Sequence, residues 1–256
     1  MNKTKIEWCD STWNPVTGCL HNCDYCYARK ISDRFKSSTE TLSNRMIESH
    51  TDDFICYEGK YNCSFPFGFK PTFYKERLSE PANIKKPQTI FVCSMADLFG
   101  SWVPDHWIKE VFEACQAAPQ HKYLFLTKNP SRYAQLASQG KLPYNNNFWY
   151  GSTITGNNEK RFVSPKCDSQ RHNTFLSIEP LLNIWDFNPY GEFDCHGWII
   201  IGAQSGPGAV KPKKEWTRSI AIQAIAEGVP VFMKDSLKPY WDELMREFPE
   251  GLEVGK

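Results

Sequence analysis

Short apolar runs recur along the chain from about residue 89 onward, and stretches with helical spacing fill several of the gaps between them. The runs are Thr89 to Ser94, Tyr123 to Thr127, Phe148 to Thr153, Thr174 to Ile178, Trp198 to Gly202 and Val229 to Met233. Each is short and rich in aliphatic, β-branched or aromatic residues, which predicts strands. Between the first two, Pro104 to Cys115 places apolar residues at 107, 108, 111, 112 and 115, one face of a helix whose first turn suits Pro104 and Asp105. Ser131 to Ala137 and Trp216 to Ala226 read as further helices, the second stopped by Gly228. Strands alternating with helices predict a parallel sheet joined by right-handed crossovers. The expected fold is α/β: a parallel, TIM-like β/α barrel, nearly complete or partial with one side open.

The segment from about Ile31 to Gln88 breaks this rhythm. It carries the polar Ser37-Ser-Thr-Glu-Thr and then Phe65-Pro-Phe-Gly-Phe-Lys-Pro-Thr-Phe-Tyr. It is too long for an ordinary crossover and too aromatic for a disordered linker. It reads as an insertion over one end of a single domain spanning residues 1–256. Phe69, Phe73 and Tyr74 interleave with Lys70, Lys75 and Arg77, as in a lid or a nucleic-acid platform with stacking rings. The plainer alternative is a structural cover whose rings bury one another.

Composition supports a compact enzyme. The chain has 256 residues, 41% hydrophobic and 23% charged, enough for one full core. A net charge of +1 demands neither nucleic acid nor an anionic membrane as partner. No apolar run approaches the roughly 18 residues that cross a bilayer. The opening Met-Asn-Lys-Thr-Lys-Ile-Glu-Trp lacks the apolar stretch of a secretory signal, so the expected location is the reducing cytoplasm, where disulfides are disfavoured.

Three of the ten cysteines stand together in Cys19-Leu-His-Asn-Cys23-Asp-Tyr-Cys26. A short loop of this kind can direct three thiolates to one iron–sulfur cluster and leave a fourth iron without a protein ligand. Zinc is the alternative, yet structural zinc sites use four ligands in paired groups and no second pair exists here. His21 as a fourth ligand lies inside the loop, on too short a tether. The other seven cysteines are scattered and read mostly as small buried hydrophobes. The spacing and the position of Tyr25 resemble the cluster loop of the radical S-adenosylmethionine (SAM) superfamily. That resemblance implies a [4Fe-4S] cluster on Cys19, Cys23 and Cys26, with SAM on the open iron and cleaved reductively to a 5′-deoxyadenosyl radical.

In a β/α barrel, ligands bind at the carboxyl ends of the strands, and polar residues collect there. With SAM as the implied ligand, Glu179 suits its ammonium or a ribose hydroxyl, and Ser94 and Asp97 suit its methionyl end. Tyr25 is expected beside the adenine. The glycines of Gly202-Ala-Gln-Ser-Gly-Pro-Gly permit close backbone approach, with Gln204 and Ser205 toward adenine or ribose. Thr127, Lys128, Ser152 and Ser177 complete the expected cofactor-binding set, and Lys128 and Lys234 attract an anion. Each has a plainer alternative: Glu179 in an ion pair, Asp97 as a cap, the glycines as a tight turn, the lysines in rim salt bridges. Cys93 or Cys195 is a candidate for returning a hydrogen atom, or a buried thiol.

Ile6-Glu-Trp, Trp13-Asn-Pro-Val-Thr-Gly-Cys19, Phe91-Val-Cys-Ser-Met-Ala-Asp-Leu-Phe99, Leu126-Thr-Lys, Leu176-Ser-Ile-Glu-Pro-Leu-Leu182 and Gly202-Ala-Gln-Ser-Gly-Pro-Gly-Ala together resemble an uncharacterised family of small phage-encoded and bacterial radical-SAM-like proteins. The resemblance spans about residues 5 to 236. It implies a radical SAM type of β/α barrel, an electron donor such as flavodoxin or ferredoxin, and no established substrate. A small molecule and a nucleic acid both remain open as substrates, the second because of Lys211-Pro-Lys-Lys214 and the basic aromatic insertion. A noncatalytic iron–sulfur or zinc-binding interaction protein is the non-enzyme alternative.

Overall fold

The computed structural model describes residues 1–36, 46–51, 54–57, 65–156, 172–184 and 197–255, and side chains outside 46–51 and 54–57. Eight strands form the main sheet: β1 Asn2–Lys3, β2 Ser11–Trp13, β7 Thr89–Val92, β8 Lys122–Thr127, β9 Phe148–Ile154, β10 Asn173–Ile178, β11 Ile199–Ile201 and β12 Val231–Met233, in that spatial order. Only the β1–β2 pair is antiparallel. All six strands expected from the apolar runs are present and parallel, while β1 and β2 are too short to leave a pattern. Helices α2 Asp105–Gln116, α3 Ser131–Ser138 and α4 Lys214–Ala226 connect β7 to β8, β8 to β9 and β11 to β12. The apolar face read for α2 is the face it buries: Trp107, Ile108, Val111, Phe112 and Cys115. Gly228, at φ +67°, turns the chain out of α4 as the pattern predicted.

Strand alternation divides the interior into two faces. Phe125, Phe148 and Tyr150 join the α2 and α3 side chains on one face, and Leu176, Ile178, Ile199 and Ile201 join Ile220, Ala221 and Ala224 of α4 on the same side. Phe91, Leu124, Trp149, Phe175, Ile200 and Phe232 gather on the other face around Trp8. The Trp8 ring lies 4.7 Å from Phe91, 6.3 Å from Phe175 and 6.4 Å from Trp198. In a flat sheet β7 and β10 would stand about 14 Å apart at the usual strand spacing. One indole reaches both because the sheet curls around it.

The curl stops short of closure. Among the described residues no ladder joins β12 to β1 or β2, so the sheet is open. Side chains span the gap instead: the backbone N–H of Asp235, just after β12, donates to both Glu7 oxygens at 2.8 and 3.1 Å, and Arg246 pairs with Glu7 at 2.5 Å and with Asp235.

Three strands of the insertion join β3 Val16–Thr17 in a second sheet, ordered β3, β6 Thr72–Tyr74, β5 Phe54–Tyr57 and β4 Met46–Thr51. Phe73 stacks on Trp107 of α2 at 5.3 Å, and Phe73 and Tyr74 are both buried. Their rings belong to the core, which favours the cover over a stacking platform for this stretch; only Phe69 reaches an open cavity. Ser37 to Thr41, Cys63, Cys167 and Cys195 lie outside the described residues. No helix among the described residues is long and apolar enough to cross a membrane.

Candidate functional site

The cysteine loop hangs from β3 and runs into helix α1, Tyr27–Phe35. At its start Gly18 has φ +85° and donates its N–H to the Met95 carbonyl at 2.9 Å. Cys19 follows, its N–H on the Phe69 carbonyl at 3.3 Å. Asn22, at φ +53°, makes the bend between Cys19 and Cys23, a conformation Asn tolerates better than most residues. Cys26 caps α1: its sulfur accepts the Arg29 N–H at 3.4 Å. The α1 N-terminus is therefore directed at the Cys26 sulfur. Arg29 also reaches back to the Cys19 carbonyl at 3.3 Å, tying the two ends of the loop. The three thiols are free of disulfides. Burial pushes the Cys19 thiol up to about 12, and negative charge on Asp97, Cys23 and Cys26 adds to the effect. Cys93 and Cys115 are buried with raised pKa values, burial being the main cause, as expected of thiols that serve as small hydrophobes.

Asp97 fastens this loop to the sheet. Its Oδ2 meets His21 Nε2 at 2.7 Å and accepts the Lys128 N–H at 2.9 Å, while Oδ1 accepts the Thr127 hydroxyl at 2.7 Å and the Phe99 N–H at 3.1 Å. Four donors fill the carboxylate, which leaves no capacity for the methionyl end of SAM. The local cap is real but is a turn onto Phe99 rather than a helix start. His21, weighed as a metal ligand, is held by Asp97. Burial alone would raise the Asp97 pKa, but the hydrogen bonds from His21, Thr127 and Lys128 together with the His21 charge hold it below the usual carboxylate range. A depressed carboxyl contributes stability above its unfolded pKa of about 3.9 and loses it as pH falls through the lower folded value. Asp97→Ala strands those donors. It is expected to cost about 3–5 kcal/mol in chemical denaturation at pH 7, with a smaller difference from wild type below about pH 4.

A cavity of about 480 Å³ opens at the carboxyl ends of the parallel strands. Cys19, Cys23 and Cys26 form part of its wall. Tyr25, Ser94, Asp97, Thr127 and Lys128 line it on the side of β7 and β8. Ser177, Glu179, Gln204, Ser205 and Lys234 line it on the side of β10 to β12. Lys128 Nζ stands 5.4 Å from the Tyr25 ring centre. The Ser94 hydroxyl donates to Asn14 Oδ1 at 3.2 Å, and Gln204 Oε1 accepts the Val210 N–H at 2.9 Å, tightening the glycine turn.

Two expected residues are placed otherwise. Ser152 does not line the cavity; its neighbour Thr153 does. β9 is buried along its whole length, so no polar alternation marks which hydroxyl faces inward. Gly202 also stays behind the wall. A Cβ there would come within 3.0 Å of Glu179 Cδ and Lys234 Cδ, so the glycine makes room for that pair. Glu179 Oε1 is bonded to Lys234 Nζ, the ion pair weighed as its plainer role. The cavity also takes Thr4 to Trp8 from the N-terminal segment, whose contribution nothing in the local pattern signalled. Among the described residues no group of three or more His, Cys, Asp or Glu side chains stands where it would hold a metal ion.

No curated protein and no solved structure matches the chain. A family model does, over residues 3–245, a span that takes in the cysteine loop, every strand of the main sheet except the first residue of β1, and the cavity between them. The chain thus belongs to the family described as protein of unknown function (DUF5131).

Proposed function

We propose that the protein is a radical SAM enzyme of the reducing cytoplasm, built on an open β/α barrel and acting on a substrate still to be identified. The observation that carries the reading is the position of the cysteine loop: three thiols in C-x3-C-x2-C spacing, none in a disulfide, share one cavity with the polar ends of parallel strands. The donor set suits a cluster, which spreads its thiolates over separate irons, better than zinc, which draws four ligands to about 2.0–2.3 Å from one ion. Cys19, Cys23 and Cys26 would hold it. Bound there, the cluster and SAM supply a reducing electron and a carbon radical able to take a hydrogen atom from an unactivated C–H bond.

The protein's own residues position and enclose. Asp97 and His21 hold the loop against β7 and β8, so the thiols keep one geometry. Glu179 lines the cavity, and its Oε2 makes no hydrogen bond among the described residues, which leaves it available to an ammonium. Lys5 and Lys128 line the same space without a carboxylate partner among the described residues and suit a carboxylate. Apolar walls from Trp8, Phe91 and Leu126 exclude water from the reacting centre. Glu179→Ala is expected to keep its iron and to weaken SAM binding by about 1.5–3 kcal/mol, the value of a charge-assisted hydrogen bond, as read by equilibrium titration.

The deciding experiment is anaerobic. Reconstituted protein reduced by dithionite or flavodoxin is expected to convert SAM into methionine and 5′-deoxyadenosine, faster when substrate completes the enclosed site. Protein that carries a reduced cluster yet neither binds nor cleaves SAM would instead establish the binding-protein alternative.

A further inference from the structure

Three polar groups at the floor of the cavity have no hydrogen-bond partner among the described residues. Thr153 and Ser177 sit opposite one another in the β9–β10 ladder, so their side chains share a face about 4.8 Å apart. Both line the cavity, at 4% and 1% exposure, and neither hydroxyl makes a hydrogen bond. Beside them Trp8, 2% exposed, carries a buried indole N–H with no acceptor. Its ring packs on Phe175, which lies on the same strand face as Ser177 and fills the space over Gly151. Buried donors and acceptors are almost always paired, and the Trp8 N–H is an exception. The two hydroxyls are open only to the cavity, so whatever fills it supplies their partners.

The surroundings select its chemistry. Glu179 and Lys234 stand one layer nearer the mouth and neutralise each other, so the floor itself carries no charge. A charged head would be desolvated there without a counter-ion. A sugar carries more hydroxyls than three groups satisfy, and a hydrocarbon would leave all three unsatisfied. A flat heterocycle meets the conditions: its edge offers an acceptor to the indole N–H and both donors and acceptors to two hydroxyls, and its faces suit the walls of Trp8, Phe91 and Leu126.

We propose that Trp8, Thr153 and Ser177 form a neutral subsite for an uncharged nucleobase-like heterocycle. This rests on the cavity being the ligand site described above. The heterocycle comes from one of two sources, the adenine of SAM or the base of a separate substrate.

Equilibrium titration of the reconstituted protein with adenosine, uridine and SAM tests it. At least one nucleoside is expected to bind wild type saturably, and Ser177→Ala and Thr153→Val each to weaken it about fivefold, the loss of one hydrogen bond. Lys109→Ala, on the solvent face of α2 and outside the cavity, is expected to change nothing. If SAM weakens in parallel with adenosine, the base is the cofactor's own; if SAM is unchanged while nucleoside binding falls, it belongs to the substrate. Ser177→Cys serves should Ser177→Ala fail to fold. Wild type that binds neither nucleoside, or binding indifferent to both hydroxyls, overturns the proposal. The titration needs no turnover: nucleoside binding without 5′-deoxyadenosine formation refutes the enzymatic reading alone, and SAM cleavage without nucleoside binding or hydroxyl dependence refutes the subsite alone.

Discussion

Cys23→Ala is expected to lose the cluster and, with it, all formation of 5′-deoxyadenosine. Wild type reconstituted without oxygen should hold about four iron and four sulfide per chain. Cys23 sits at the centre of the loop, between the Asn22 bend and the Cys26 cap, and no other cysteine among the described residues lines the cavity to replace it. Cys19→Ala and Cys26→Ala should behave alike, although Cys26→Ala also removes the cap of α1 and should cost about 1 kcal/mol of stability besides. Iron and sulfide analysis with product chromatography reads both effects. Stoichiometric zinc in place of iron in wild type, or wild-type iron in Cys23→Ala, would contradict the assignment.

Gly18→Ala is expected to produce the largest loss of stability from a single methyl group. The added Cβ would lie 2.2 Å from the Lys70 carbonyl oxygen and 2.7 Å from that of Phe69, both backbone atoms, and the residue would keep a left-handed conformation. Side-chain rotation cannot relieve such a clash. The inserted segment or the cysteine loop has to move, at a cost of about 3–4 kcal/mol. Melting should fall by roughly 10 °C at about 2–4 °C per kcal/mol for a chain of this size, and iron content should fall because Cys19 is the next residue. Gly140→Ala is the control. Its φ is +65° but nothing lies within 4 Å of the added Cβ, so only the conformational cost of about 1–2 kcal/mol remains. Equal effects from the two substitutions would show that the close approach at Gly18 is unimportant.

Legibility in the sequence followed the strength of local pattern. α2 was readable because five large apolar residues recur on one face. α1 was not, because Tyr-Ala-Arg-Lys-Ile-Ser-Asp-Arg-Phe buries only Ala28 and Ser32 and is held by its cap and by the loop before it. β2 has three residues and owes its place to β7, whose paired residues come 79 positions later. In the site, residues after strand ends were readable as a set, and most converge. The choice of Ser152 over Thr153 failed because β9 is buried on both faces, so polarity carried no information about orientation.

Sequence alone determined the alternation of strand and helix, the parallel order that follows from it, and the three clustered thiols, because these depend on spacing within a few residues. Tertiary structure alone decided which polar groups remain available to a ligand. Asp97 is occupied by His21, 76 positions away, and one oxygen of Glu179 by Lys234, 55 positions away, whereas Thr153, Ser177 and Trp8 are left without hydrogen-bond partners among the described residues. It also decided that the sheet curls around Trp8 and stays open, with Glu7 bridging to Asp235 and Arg246. Periodicity records what each residue faces across its own element, while hydrogen-bond partners are chosen among groups that meet only when distant segments have packed.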